Sequence, residues 1–182
     1  STDNPNAGPF TRYPRIISWL MSAKAREDTL RSMKTEGSVI ASSHLSTLDR
    51  ELDLYEIAMM TRAGPAEALG LSRWYGTLRE GAYGNVAVYN LDPGALPDDY
   101  RLIEQAFSRA AYTVKEGEIV VRDGKIIGEP GKHTVFTSVR APENPQVMHD
   151  ITDRFASDYT INLENYQVSR SQVINPRPIR VE

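Results

Sequence analysis

The first ten residues, STDNPNAGPF, constrain the fold of this chain more than any other stretch. Thr2 and Asp3 have the pattern of a strand end, and the two prolines and the glycine that follow favour a rigid loop over residues 4–10. In a parallel barrel, a carboxylate at the carboxyl end of a strand faces the reaction centre. Asp3 is therefore a candidate catalytic residue, although aspartate also serves as a turn or helix cap in such a context.

Composition excludes several classes of function. The chain has 182 residues, which is the length of one domain. Its net charge is −3 and its pI is near 5.7, whereas nucleic-acid-binding domains normally carry a strongly basic face, so general nucleic-acid binding is not expected. The absence of cysteine excludes thiol catalysis, disulfides and cysteine-ligated metal centres. No apolar run approaches about 18 residues, and the N-terminus lacks a signal-peptide pattern. We expect a soluble, cytoplasmic chain without nucleic-acid or membrane partners, and its abrupt start indicates a fragment or processed piece.

The first half of the chain is predicted to be helical. Apolar residues at helical spacing predict a helix over residues 15–34, with Gly37 as its stop. Acidic residues in segment 49–53 would cap a second helix that ends at Gly64. Pro65 fits the first position of a further short helix, so a bent helix pair is predicted.

The second half is predicted to contain a small antiparallel β unit. Apolar runs at residues 113–114, 119–121 and 126–127 are separated by Glu116-Gly117 and Asp123-Gly124, which favour hairpin turns because these residues tolerate positive φ. The other predicted elements are a strand at 86–89, a helix capped near residues 98–99, a strand at 133–139, an acidic helix around 147–155 and an extended arm from residue 170.

Few residues beyond the first loop have the spacing of a chemical site. His44, His133 and His149 are far apart and match no metal-binding spacing, so each is expected to be a surface or hydrogen-bonded histidine. The segment 128–132 (GEPGK) lacks the spacing of a phosphate loop, and no Gly-x-Ser-x-Gly elbow occurs. Asp3 remains, because a carboxylate at a strand end can ligate a metal and accept a proton from metal-bound water.

The order of motifs resembles the closing section of the amidohydrolase superfamily. After Asp3, residues 61–71 (TRAGPAEALGL) resemble the helix end that follows the last barrel strand in that family, and residues 76–89 (GTLREGAYGNVAVY) resemble the strand that enters its β-sandwich. Residues 2–14, 54–58 and 106–114 are similar to the family that comprises the catalytic subunit of formylmethanofuran dehydrogenase and its relative in the bacterial formyltransferase/hydrolase complex. The resemblance extends over nearly the whole chain.

The resemblance implies three regions. Residues 1–75 would be the last strand and helices of an α/β, metal-dependent (β/α)8 TIM barrel, residues 76–140 part of a composite β-sandwich, and residues 141–182 a C-terminal helix and extended tail. It also implies a subunit that forms or hydrolyses the N-formyl bond of formylmethanofuran in one-carbon metabolism, at a binuclear zinc centre. Of the metal-site residues only Asp3 maps onto this chain, as metal ligand and proton acceptor.

Two residues of the first loop depart from the family's usual Asp-His-Pro-Asn-Gly-Gly-Pro-Phe. Asn4 replaces the histidine, which is compatible with the hydrolase branch, and Ala7 replaces a glycine, which requires a backbone without positive φ. Asn85 stands where amidohydrolases commonly have aspartate, so the structural contact that the aspartate side chain makes in the family is in question at this position.

Asn4, Asn6 and Arg12 are the candidate substrate-binding residues. Methanofuran-type substrates carry glutamyl carboxylates, and Arg12, Arg15 and Lys24 follow the Asp3 loop closely enough for one of them to bind that anionic tail.

One strand cannot close a barrel, so the chain is expected to be the C-terminal third of a larger polypeptide. Its partners would be the N-terminal portion of the same subunit or a companion chain, and the other subunits of a complex. Alone, it would expose the apolar faces of Ile16, Leu20, Ile57 and the hairpin. Two other functions remain open: a non-catalytic β-sandwich interaction module, and an amidohydrolase-like scaffold that has lost its chemistry.

Overall fold

The computed structural model describes residues 4–6, 8–33, 44, 47–129, 131, 134–139, 143–159, 165 and 177–181. Asp3, Ala7 and His133 lie outside these described residues. The chain divides into two compact units, Ser1–Pro130 and Gly131–Glu182.

Two short helices open the first unit, where the sequence predicted a single one. A 3-10 turn at Phe10–Arg12 leads into α1 (Tyr13–Met21), and α2 (Ala23–Ser32) follows after one residue. Ser22 breaks the helix because its backbone is extended (φ −140°, ψ 118°) and its hydroxyl accepts a hydrogen bond from Ala25 N–H (3.2 Å). The prediction of one continuous helix is therefore wrong, since apolar spacing continues across a residue that acts as an N-cap.

The segment 50–52 satisfies the backbone groups that this break leaves without helical partners. Leu52 N–H donates to the Leu20 carbonyl (2.9 Å) at the end of α1. The Glu51 carboxylate accepts from Ala23 N–H (2.6 Å) at the start of α2, where the helix dipole favours a negative charge. The segment thus holds the two helices at a fixed junction.

Arg26 of α2 adds a buried contact at the same junction. The residue is 3% exposed, and its guanidinium donates to the carbonyls of Trp19 and Arg50, the latter at 3.1 Å. A buried charged group is tolerated when its donors are hydrogen-bonded. Arg26 therefore ties α1, α2 and the segment 50–52 together.

The next helical stretch is continuous where a break was expected. Asp53 caps α3 (Leu54–Ala58) in a reciprocal capping box with Glu56, which confirms the predicted acidic cap. A π-helical turn, Met59–Ala63, then joins α3 to α4 (Gly64–Ala68). The predicted break at Gly64 is a widened turn, because a proline in the first turn of α4 removes a donor and crowds the preceding turn.

The core of the first unit lies between α1, α3 and α5 (Tyr100–Ser108), which Asp99 caps as predicted. Its buried residues are Ile17, Met21, Leu52, Ile57 and Ile103. Ile57 is only 3% exposed, so the expectation that the isolated chain exposes it is wrong, because α5 contributes Ile103 to the same cluster.

A four-stranded antiparallel sheet follows, as the hairpin signals predicted. Its order is β1 (Val86–Val88), β2 (Tyr112–Lys115), β3 (Glu118–Arg122) and β4 (Lys125–Ile126). The turn residues have positive φ, 52° at Glu116 and 48° at Asp123, each followed by a glycine that also has positive φ. Ile126 is 81% exposed, which confirms that the hairpin presents apolar surface.

Asn85 connects this hairpin to the segment that enters β1. Its Oδ1 accepts a hydrogen bond from Glu116 N–H (2.9 Å), and Gly117 N–H donates to the Gly84 carbonyl (3.0 Å) beside it. Asparagine preserves the contact that aspartate would make, because only a side-chain oxygen acceptor is required.

The second unit contains a pair of parallel strands and a helix. β5 (Val135–Val139) pairs with β6 (Arg177–Val181), from Val135 opposite Arg177 to Val139 opposite Val181. The predicted strand is confirmed, but its place in the antiparallel unit is wrong. Within the predicted extended arm, Arg177–Val181 forms the extended strand β6, which β5 holds by pairing. Asn144 caps the predicted C-terminal helix α6 (Pro145–Asp158) through two backbone N–H groups.

Replacing Arg26 by methionine is expected to lower the free energy of unfolding by about 2–4 kcal/mol, because two carbonyls at the junction lose a charged donor. Urea denaturation measures the change. Arg31→Met is the matched control, since Arg31 is exposed and forms an ion pair with Glu27 on the same helix. Its effect should stay below about 0.5 kcal/mol. Equal losses in the two variants would contradict the junction's role.

Replacing Asn85 by leucine is expected to cost about 1–2 kcal/mol, because the Glu116 N–H loses its acceptor in a half-buried site. Asn85→Asp keeps the oxygen and should remain near the wild-type stability. Thermal unfolding and hydrogen exchange of the Glu116 amide test the pair. If both variants lose the same stability, the contact does not depend on the acceptor oxygen.

Candidate functional site

The predicted site loop is described at residues 4–6 and 8–10, while Asp3 lies outside the described residues. Asn4 and Asn6 are exposed. The Asn4 Oδ1 accepts a hydrogen bond from Phe10 N–H (3.2 Å), so this side chain joins the two ends of the loop. The spacing of six residues matches no common cap motif, which is why the sequence did not predict this bond.

Arg12 ends the 3-10 turn that follows the loop. Its backbone N–H donates to the Pro9 carbonyl (2.9 Å), which fixes the turn. Its side chain is exposed and makes no ion pair or hydrogen bond with the part of the chain that the structure describes.

The other two cations considered for an anionic ligand already have partners. The Arg15 guanidinium carbon lies 5.3 Å from the centre of the Trp19 ring, and Lys24 Nζ lies 3.2 Å from a carboxylate oxygen of Asp28. Both pairs have i,i+4 spacing on a helix, so the sequence contained the signal for them. Arg12 therefore differs from Arg15 and Lys24, which have side-chain partners within the described residues.

Lys24 also changes the acidity of its partner. The hydrogen bond from Lys24 lowers the pKa of Asp28, and the nearby positive charges of Lys24 and Arg31 and a hydrogen bond from Tyr100 act in the same direction. Asp28 therefore stays ionised to lower pH than an ordinary aspartate.

Within the described ranges, no three histidine, aspartate or glutamate side chains lie close enough together to hold a metal ion. His149 is exposed and contacts Asp153 (3.2 Å) on α6, and His44 is exposed. The described residues alone therefore do not fit a metal centre. Any metal associated with Asp3 requires further ligands from outside them.

A cavity of about 570 Å³ lies between the loop at residues 90–97 and α5. Leu91, Pro97, Leu102 and Arg109 are among its lining residues, and Arg109 Nε donates to the Asp123 carbonyl (2.7 Å). No sequence motif predicted it. Its lining includes no residue of the loop and turn at 4–12, so it is not part of the predicted site.

Residues 1–121, about two thirds of the chain, match the model of the Amidohydrolase family. The chain belongs to the amidohydrolase family. The resemblance stated from the motifs is thereby confirmed, and members of this family generally bind metal ions.

Two curated relatives show which proteins this chain resembles within the family. The chain is 43% identical over 184 residues to the protein FwdA of Methanocaldococcus jannaschii, an alignment that covers all of this chain and 32% of FwdA. It is 36% identical over 160 residues to FhcA, a component of the formyltransferase/hydrolase complex Fhc of Methylorubrum extorquens, covering 86% of this chain and 27% of FhcA. The chain thus spans between 27% and 32% of the length of these relatives.

A solved structure has the same fold. It is the X-ray structure of the formyltransferase/hydrolase complex FhcABCD from Methylorubrum extorquens in complex with methylofuran. The matched chain superposes with a TM-score of 0.69 at 29% identity, over all of this chain and 32% of that one.

None of the helices within the described ranges is both long enough and apolar enough to span a lipid bilayer.

Replacing Lys24 by glutamine is expected to raise the pKa of Asp28 towards its ordinary value, because Lys24 provides the strongest of the contacts that lower it. Arg31→Gln, which removes only a more distant charge, should raise it less. Since the folded pKa lies below the unfolded one, Asp28 stabilises the fold above its unfolded pKa, and this contribution is lost as the pH falls through the folded value. Carboxyl NMR titration measures both shifts. A larger shift in Arg31→Gln would contradict this ranking.

Proposed function

We propose that this chain supplies about a third of an amidohydrolase-type subunit that forms or hydrolyses the N-formyl bond of formylmethanofuran or a close analogue. The observation that carries the proposal is the 43% identity to FwdA over the whole chain. The likeness to a chain of a complex solved with methylofuran supports a methanofuran-type substrate. In the hydrolytic direction, water adds to the formyl carbon, the C–N bond breaks, and formate and the free amine leave.

The architecture is proposed to follow the family. Residues 1–75 would complete a (β/α)8 barrel, residues 76–140 would belong to a β-sandwich, and residues 141–182 would form the C-terminal helix and tail. The element order supports the first of these boundaries, because helices α1 to α4 precede residue 76 and strands β1 to β4 follow it. It does not support the second boundary, because β5 and β6 pair across it.

Asp3 is the proposed catalytic residue and metal ligand of this chain. A carboxylate at the carboxyl end of the last barrel strand would hold one zinc ion of a binuclear centre and accept the proton of the attacking water. The remaining ligands would come from the rest of the subunit or from a companion chain, since the described residues contain no metal-binding cluster.

Arg12 is the proposed contact for the anionic tail of the substrate. The support is its exposed guanidinium, which has no partner in the described part of the chain, next to the loop that contains Asn4 and Asn6. The amide group of Asn6 and the amide NH2 group of Asn4 are the proposed polar contacts of the same loop.

The deciding experiment uses the purified assembly of this chain with its companion polypeptides. Asp3→Asn is expected to lower the rate of formate release at least about 100-fold, the usual contribution of a positioned acid or base, and to reduce the zinc content. The matched control is Asp98→Asn, at an exposed aspartate with no side-chain bond to the described residues. It should leave both values unchanged.

Two results would reject the proposal. Undiminished formate release in Asp3→Asn would favour a scaffold that has lost its chemistry. A wild-type chain that native mass spectrometry finds alone and free of metal would favour the interaction module, which the exposed apolar surface of the hairpin at Ile126 also suits.

A further inference from the structure

We propose that Asn4 is a positioning residue, whose amide oxygen holds the start of the site loop against the 3-10 turn at Phe10–Arg12, and not a substrate ligand through that oxygen. This inference rests on the proposed function. The first N–H groups of a helical segment have no partners within the helix. Here the first such N–H group belongs to Phe10. Pro9 occupies the cap position, and its side chain cannot accept a hydrogen bond from that group. Asn4 supplies the missing acceptor from six residues earlier.

The element to which Asn4 is bound is itself firmly held. The 3-10 turn at Phe10–Arg12 continues directly into α1, whose Ile17 and Met21 lie in the core. The opposite end of α1 is bonded to the segment 50–52 through the Leu20 carbonyl. The bond from Asn4 therefore connects the residue that directly follows Asp3 to a turn that continues into a helix packed in the core.

Positioning and substrate binding predict different kinetics. A shift of about 1 Å in a catalytic group can lower the rate about 100-fold, with little effect on the binding of the ground state. Removing a positioning contact should therefore lower kcat while KM stays nearly constant, whereas removing a substrate contact should raise KM. The Asn4 oxygen is already engaged by Phe10 N–H, which favours the first pattern.

The test compares Asn4→Leu, which has a similar shape but no acceptor, with Asn4→Asp, which keeps one. In the purified assembly, Asn4→Leu should lower kcat about 10- to 100-fold and speed deuterium uptake in peptides that contain Phe10. Asn4→Asp should retain slow uptake and most of kcat. Asn90→Leu is the control, at an exposed asparagine with no side-chain bond to the described residues. It should change neither value.

The outcomes separate this inference from the proposed function. Unchanged deuterium uptake in Asn4→Leu, or an increase in KM at constant kcat, overturns the positioning role alone. A wild-type assembly with no activity on the N-formyl bond overturns the proposed function and a positioning role in that reaction. Faster uptake with a selective loss of kcat, restored by Asn4→Asp, supports both.

Discussion

The first unit depends on how the polar groups at the junction of α1 and α2 are satisfied. A helix that breaks inside a fold leaves carbonyl and N–H groups without partners, and each such buried group costs about 1–3 kcal/mol if nothing replaces the lost bond. Here the replacements are Arg26 and the segment 50–52, which contact Trp19, Leu20 and Ala23. The break at Ser22 is stable because a segment about thirty residues later in the chain completes it.

The same junction fixes the C-terminal end of α1 through the Leu20 carbonyl. The site loop leads into the other end of α1 through the 3-10 turn. The buried residues of α1 fix its orientation in the core, and the 3-10 turn that precedes α1 presents Arg12 to solvent. The hydrogen bond between Asn4 and Phe10 then holds Asn4, the residue next to Asp3, to the turn that precedes α1. The position of Asn4, the described residue at the start of the loop, therefore depends on its hydrogen bond to Phe10 as well as on the loop sequence.

Local chemistry decides which features the sequence could predict. The capping box of Asp53 and Glu56 and the turn at Asp123-Gly124 were predicted, because neighbouring residues alone determine them. The break at Ser22 and the parallel pairing of β5 with β6 were missed, because partners distant in the sequence stabilise both. The role of Asp3 stays a prediction, since that residue lies outside the described residues.

The two motifs that indicated the family, residues 61–71 and 76–89, contain residues that packing requires, whether or not they have a catalytic role. Gly76 opens the second motif with φ of +72°, and a Cβ atom there would lie 2.6 Å from the Arg62 carbonyl oxygen and 2.8 Å from the Ala66 Cβ, both in the first motif. Only glycine allows this approach, so the two motifs form one packed unit at the π-helical turn. Motif similarity of this kind establishes a shared scaffold. Because scaffold contacts can persist after catalytic groups change, the activity must be tested at Asp3 and its loop, where the chemistry would occur.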